Sequence, residues 1–454
     1  MNKLVAKILA ILGVKSSRTK NVTKHVLLSF IYKGGHVIAT FLLIPLTISY
    51  LDTENYGIWL TISSFISWFS FFDVGLGNGL RNKYAEARAK DDIESAKGYV
   101  STAYYTIGSI CFVFFFLSLL FGYFINWTEV FNTEFALEEE LRLLMPIVFG
   151  CFSLQLIVKL VASIYLADQN HSISGKINFI TAFSSLVVIW FLTMTSKSSL
   201  LLFGIVFSLL PVLVFLIFNV YAFSGRYREF TPRTKYWKKV FFKDIFGLGL
   251  TFFIIQLSVV VLNTTDNFII TQLFGPKDVV PYNLAYKYIG ISLMLCTMTF
   301  TPFWSSITDA YAKGELGWIK KSMGMLQKFS LLVVGLIVIL IFFSSIAYGL
   351  LSDYKVEVPI KLTLFMASYF GLMVLFVPYT FFLNGIGKIK IQMYATAFAA
   401  LINIPLSIIL VKHFDMGTEG VIFATFLGTL PNLVLFPIQY KKLVNQKATG
   451  IWNR

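Results

Sequence analysis

Twelve apolar runs, each long enough to cross a bilayer, follow one another with short polar breaks: about 26–50, 57–82, 99–125, 142–166, 176–195, 199–223, 245–270, 281–308, 326–350, 358–384, 391–411 and 419–440. A helix spanning hydrocarbon needs about 20 such residues. Backbone polar groups there must be satisfied within the segment, so each run is expected to be a helix. Only 13% of residues are charged against 57% hydrophobic, with a mean hydropathy of +0.74. That is about half the charge a soluble chain of this length would carry. The expected fold class is an all-α polytopic membrane protein. Cys111, Cys151 and Cys296 fall inside apolar runs and behave as small hydrophobes.

The net charge of +15 is distributed unevenly. Lys and Arg concentrate in alternate connections: the N-terminal tail, 83–98, 224–244, 309–325, 385–390 and 441–454. The other connections are short or acidic, as at Asp52, Glu54, Glu129, Glu134 and Glu138–Glu140. By the positive-inside rule both termini are expected on the cytoplasmic side. Residues 1–25 are expected as a cytoplasmic amphipathic segment, with Lys3 and Lys7 on one face. Residues 224–244 are expected as a basic linker resting on anionic lipid headgroups between an N-lobe, 26–223, and a C-lobe, 245–440; residues 441–454 form a tail. The tyrosines and tryptophan in that linker do not make it a nucleic-acid site, because lipid headgroups account for its charge.

The halves share a local pattern. Glu86-Ala87-Arg88-Ala89-Lys90 follows the second run and Asp309-Ala310-Tyr311-Ala312-Lys313 follows the eighth, 223 residues on. Six spans per half preserve orientation, so the repeat is expected to be parallel, two six-helix lobes around a central cleft.

Polar residues at membrane depth mark candidate functional positions. Ser29, Lys33, His36 and Thr40 fall on one helical stripe, as do Gln155, Lys159 and Ser163. Lys33 can snorkel to the interface or face a cavity, and His36 fits either a packing role or a ligand contact. Asp73 and Arg81 lie toward the cytoplasmic half of the second run, among Gly75, Gly77 and Gly79. Asp73 is the single deep acid of the first half, and excess cationic charge in a low-dielectric cleft calls for an anionic ligand. In the second half Asp266 and Lys287 lie at comparable depth, so mutual neutralisation is the leading expectation, a cation site on Asp266 the other. No phosphate-binding glycine loop, HExxH or GxSxG elbow occurs, so no enzyme, metal or cofactor chemistry is expected.

The stretch Tyr56-Gly57-Ile58-Trp59, Phe72-Asp73-Val74-Gly75-Leu76-Gly77-Asn78-Gly79-Leu80-Arg81-Asn82 and Ala85-Glu86-Ala87 resembles the second transmembrane helix and following loop of Wzx-type O-antigen and polysaccharide flippases. These belong to the multidrug/oligosaccharidyl-lipid/polysaccharide exporter superfamily. The resemblance implies a MATE-like fold and movement of an undecaprenyl-pyrophosphate-linked oligosaccharide to the outer leaflet of a bacterial inner membrane. It also implies proton or sodium coupling in some members, and work alongside a polysaccharide polymerase and a chain-length regulator. Carried over by motif are Asp73, Asn78 and Arg81; Lys33, His36, Lys159 and Lys287 are added from spacing alone. The substrate-binding set is therefore Lys33, His36, Asp73, Asn78, Arg81, Lys159 and Lys287, with Asp73 and Asp266 as candidates for ion coupling. A multidrug or metabolite exporter of the same superfamily, and an integral glycan polymerase, are the competing readings.

Overall fold

The computed structural model describes residues 17–67, 76–168, 170, 172–246, 250–312 and 314–454. Among them there is no strand. The helices are α1 (Ser17–Ser67), α2 (Leu76–Ala89), α3 (Ile93–Gly122), α4 (Glu138–Val158), α5 (Leu160–Ala167), α6 (Ser172–Thr195), α7 (Leu200–Ser224) and α8 (Lys239–Phe246). They continue with α9 (Leu250–Phe274), α10 (Val279–Ala312), α11 (Leu316–Phe342), α12 (Ser344–Ser352), α13 (Ile360–Ile386), α14 (Lys390–His413), α15 (Glu419–Thr429) and α16 (Asn432–Val444). Ten helical stretches among the described residues are long and apolar enough to cross a membrane. Within the described residues the expected spans fall on helices; 68–75 of the second and 247–249 of the seventh lie outside the described residues. The first two share α1, which breaks at Asp52 (φ 68°), and the eighth is α10, 34 residues long.

Contacts divide the chain into two compact units. The first comprises residues 1–52, 69–130 and 134–250; the second comprises 53–68, 131–133 and 251–454. Chain order alone would have left 53–68 with the first half. In the first unit α4 packs on α3 and α7, α6 on α7, and α2 on α3 and α5. Its core holds Leu80, Tyr84, Val100, Ile164, Tyr227 and Ile245. In the second, α10 packs on α11 and α13, and α14 on α15.

The repeat is visible in the backbone. Helices beginning at Ile93, Glu138, Ser172 and Leu200 are matched in order by helices beginning at Leu316, Ile360, Lys390 and Glu419. The turn after α2 recurs after α10: the Asp92 N–H donates to the Ala87 carbonyl at 2.9 Å, and the Glu315 N–H to the Ala310 carbonyl at 2.8 Å.

Residues 17–25 are the start of α1, and 1–16 lie outside the described residues. The segment 224–244 is packed, with Tyr227 and Phe230 buried. Tyr227 donates to Asp168 at 2.9 Å, Arg226 pairs with the same carboxylate at 3.0 Å, and Lys97 pairs with Glu229 at 3.0 Å. Aromatic side chains took the segment into the first unit because burying one recovers far more free energy than leaving it in water. Pro431 sits at the junction of α15 and α16, whereas Pro378 and Pro405 are accommodated inside continuous helices.

Candidate functional site

In the first unit the polar stripe of α1 meets α6. A glycine at position 35 lets the ring of Phe179 lie against the backbone where a Cβ would otherwise collide with it. The next residue, His36, donates from Nδ1 to the Asn178 carbonyl at 3.2 Å, so its ring is engaged in packing α1 on α6. Thr40 returns its hydroxyl to the His36 carbonyl at 2.8 Å. One turn before His36, Lys33 is exposed and makes no hydrogen bond or ion pair among the described residues.

Arg81 lies on α2, half-buried, and likewise has no acid partner among the described residues. Three acids of this unit are committed elsewhere: Glu86 to Lys83 and Lys90, Asp168 to Arg226, and Glu229 to Lys97. Hydrogen bonds from Lys90 and then Lys83 hold the Glu86 carboxyl down at about 2. Asp73 and the side chain of Asn78 lie outside the described residues.

Lys159, exposed, occupies the break between α4 and α5. Asn219 of α7 explains the break. Its Nδ2 donates to the Val158 carbonyl at 2.5 Å, while its Oδ1 accepts from Tyr104 at 2.7 Å. A carbonyl released from helical bonding inside an apolar unit needs such a donor. Lys33, Arg81 and Lys159 thus stand on three separate elements of one unit.

The second unit carries a polar seam that residue spacing did not reveal. The Asn267 Nδ2 donates to Ser64 at 2.7 Å, and Asn283 donates to the Asn267 Oδ1 at 2.7 Å. The hydroxyls of Thr61 and Thr271 are 2.6 Å apart, and Asn132 donates to the Thr271 carbonyl at 2.9 Å. A salt bridge between Lys277 and Glu54, 3.0 Å, sits at one end of the seam. Gly57 allows the closest approach, since a Cβ there would collide with the Pro276 carbonyl. These bonds account for 53–68 grouping with later helices. On the same helix the Ser67 hydroxyl donates to the Ser63 carbonyl at 2.8 Å. Thr61 and Ser64, three residues apart, form the face that engages α9.

Asp266 and Lys287 do not neutralise each other. Asp266 is 2% exposed, and one carboxylate oxygen accepts from the Tyr282 hydroxyl at 2.5 Å. Its Oδ1 has no hydrogen-bond partner among the described residues. Lys287 is half-buried and donates to the Tyr56 hydroxyl at 3.5 Å. Five residues beyond Tyr282, it lies about 140° further around α10 and faces another neighbour. A buried carboxyl with no cation beside it is stable only when protonated or when a cation enters.

Comparison with known proteins agrees with this architecture. The family model described as "Polysaccharide biosynthesis protein" matches residues 22–307, and the MatE model matches 252–409. The chain is 22% identical over 396 residues, 84% of its length, to a "Putative O-antigen export protein" of Yersinia pseudotuberculosis, covering 88% of that protein. It is 24% identical over 366 residues, 78% of its length, to a "Putative O-antigen transporter" of Salmonella typhimurium, covering 82% of that protein. A solved structure described as "Inward-facing conformation of a multidrug resistance MATE family transporter of the MOP superfamily" superposes with a TM-score of 0.74 at 13% identity, covering 93% of this chain and 98% of the other. That likeness establishes a MATE-type fold in a multi-pass membrane protein. With the matched model spanning well over half its length, the chain belongs to the polysaccharide biosynthesis protein family.

Proposed function

We propose that the protein is a flippase, not an enzyme, that carries an undecaprenyl-pyrophosphate-linked oligosaccharide from the cytoplasmic to the outer leaflet of a bacterial inner membrane. Both termini are cytoplasmic in this reading, because the basic connections lie on their side. The observation that carries it is the charge of the first unit: Lys33 and Arg81 have no acid partner among the described residues, and Glu86, Asp168 and Glu229 of that unit pair with other cations. Cations in a low-dielectric setting favour an anionic ligand, and a diphosphate is the anionic part of such a cargo. An organic cation would be repelled there. The family and the O-antigen names of the relatives support the same cargo class.

Coupling is assigned to Asp266. Its free oxygen and the Tyr282 hydroxyl offer a proton, or a sodium ion, a place to bind and leave. The glycan emerges on the face where a polymerase and a chain-length regulator would use it.

The deciding experiment is transport by purified protein in vesicles, with a lipid-linked oligosaccharide and an organic-cation drug as parallel substrates. Movement of the glycolipid, driven by an imposed proton or sodium gradient, is expected. Movement of the drug alone would replace this reading with multidrug export.

A further inference from the structure

The loop after α7 is seated on α3 at membrane-interface depth. The Arg233 N–H donates to Ser101 Oγ at 3.1 Å, the Lys238 N–H to Thr102 Oγ1 at 3.3 Å, and the Trp237 indole to Thr106 Oγ1 at 3.4 Å. These acceptors lie roughly 3–10 Å inside the span expected from residue 99. The roof they pin is strongly cationic. Arg228, Arg233, Lys235, Lys238, Lys239 and Lys243 are all exposed, and Trp237 and Val240 remain 45% and 66% exposed between them. Arg233 has no acid partner among the described residues.

Beneath this roof, between α3 and α4, opens a groove of about 500 Å³ lined by Tyr105, Gly108, Phe112, Val113, Ile157 and Pro232. Its volume is in the range of about 300–1,000 Å³ usual for ligand sites. The floor is apolar, and the mouth is marked by Pro232, whose neighbour in sequence is Arg233. Gly108 leaves the floor open, since a Cβ there meets nothing within 4 Å. One face therefore offers apolar depth below and uncompensated positive charge above, with interfacial aromatic residues between them. Basic sites over intramembrane grooves suit a phosphodiester with acyl chains.

We propose that this groove binds an anionic phospholipid of the surrounding leaflet, one acyl chain lying across Gly108 toward Phe112 and the phosphate meeting Arg233. The lipid anchors the loop on α3 and is distinct from the transported cargo. The proposal stands whether or not the cargo assignment holds.

The test uses full-length protein stripped of lipid in detergent and titrated separately with phosphatidylglycerol and phosphatidylcholine, with bound lipid counted by native mass spectrometry. Phosphatidylglycerol is expected to bind more tightly. Arg233→Gln should weaken it about fivefold with little effect on phosphatidylcholine. Gly108→Leu adds a side chain to the floor, where a Cβ meets nothing within 4 Å, and should weaken both lipids. Equal binding of the two lipids by the wild-type protein would overturn the proposal, as would unchanged phosphatidylglycerol binding in Arg233→Gln. Displacement of phosphatidylglycerol by equimolar undecaprenyl phosphate would overturn the choice of a bulk lipid. Arg233 is solvent-exposed, so its variant decides the matter even if Gly108→Leu folds poorly.

Discussion

Asp91 and Gly314 occupy the same position in two copies of one turn, both with left-handed backbone, φ 53° and 74°. Each follows the last residues of a helix and precedes the cap of the next, Asp92 before α3 and Glu315 before α11. The second half uses the residue suited to that conformation and the first half tolerates a substitute, since aspartate enters the left-handed region more readily than most residues. Asp91→Gly should therefore raise the unfolding temperature of the purified protein, and Gly314→Val should lower it, costing about 1–2 kcal/mol. Fluorescence-detected thermal scans of the two variants measure both effects.

The turn also carries a pH-sensitive contact. Asp92 caps α3, and bonds from the Ser95 hydroxyl and backbone N–H hold its carboxyl below the usual carboxylate range. A depressed folded value means the cap stabilises the protein above the unfolded value, about 3.9. It is lost as pH falls through the lower folded value. Asp92→Asn should lower the melting temperature at pH 7, and the gap from wild type should close in scans run at progressively lower pH.

Close approach in the second unit predicts that Gly57 tolerates no side chain. The obstructing atom is the Pro276 backbone carbonyl, which cannot swing aside as a side chain would. Gly57→Ala should already sharply reduce the yield of monodisperse protein on size exclusion, and Gly57→Val should do no better. In the same seam, Asn267→Leu removes the bonds to Ser64 and Asn283 and should cost about 0.6–2 kcal/mol in a denaturant titration.

Asn219 holds the break between α4 and α5 open. Asn219→Leu leaves the Val158 carbonyl and the Tyr104 hydroxyl without partners and should destabilise by about 1–3 kcal/mol. If the break positions Lys159 for transport, glycolipid flux at equal protein level will fall as well.

Function should divide between the units. Lys33→Ala and Arg81→Ala are expected to lower surface polysaccharide at least tenfold at matched expression, with Lys33→Arg restoring part of it. Asp266→Asn should bind glycolipid normally but lose the response of flux to an imposed pH or sodium gradient. Full activity in both alanine variants would remove those cations from the mechanism.

Legibility of the molecule followed the range of the forces involved. His36 was identifiable as an intramembrane polar residue, yet its engagement with the Asn178 carbonyl depends on the neighbour that α6 presents. Asp266 and Lys287 were read as a pair from equal depth. The angular positions of Tyr282 and Lys287 on α10 separate them, and depth carries no information about rotation.

The apolar spans, their helical state, the asymmetry of charge and the duplication were determined by the sequence itself. Each is local or periodic, and a run of about 20 apolar residues in hydrocarbon satisfies its backbone as a helix. Only tertiary structure decided that 53–68 joins the later helices, that the basic segment 224–244 folds onto α3, and that Asp266 meets a tyrosine rather than a lysine. Those outcomes rest on which faces meet across distant segments, where single hydrogen bonds and the absence of one Cβ outweigh composition.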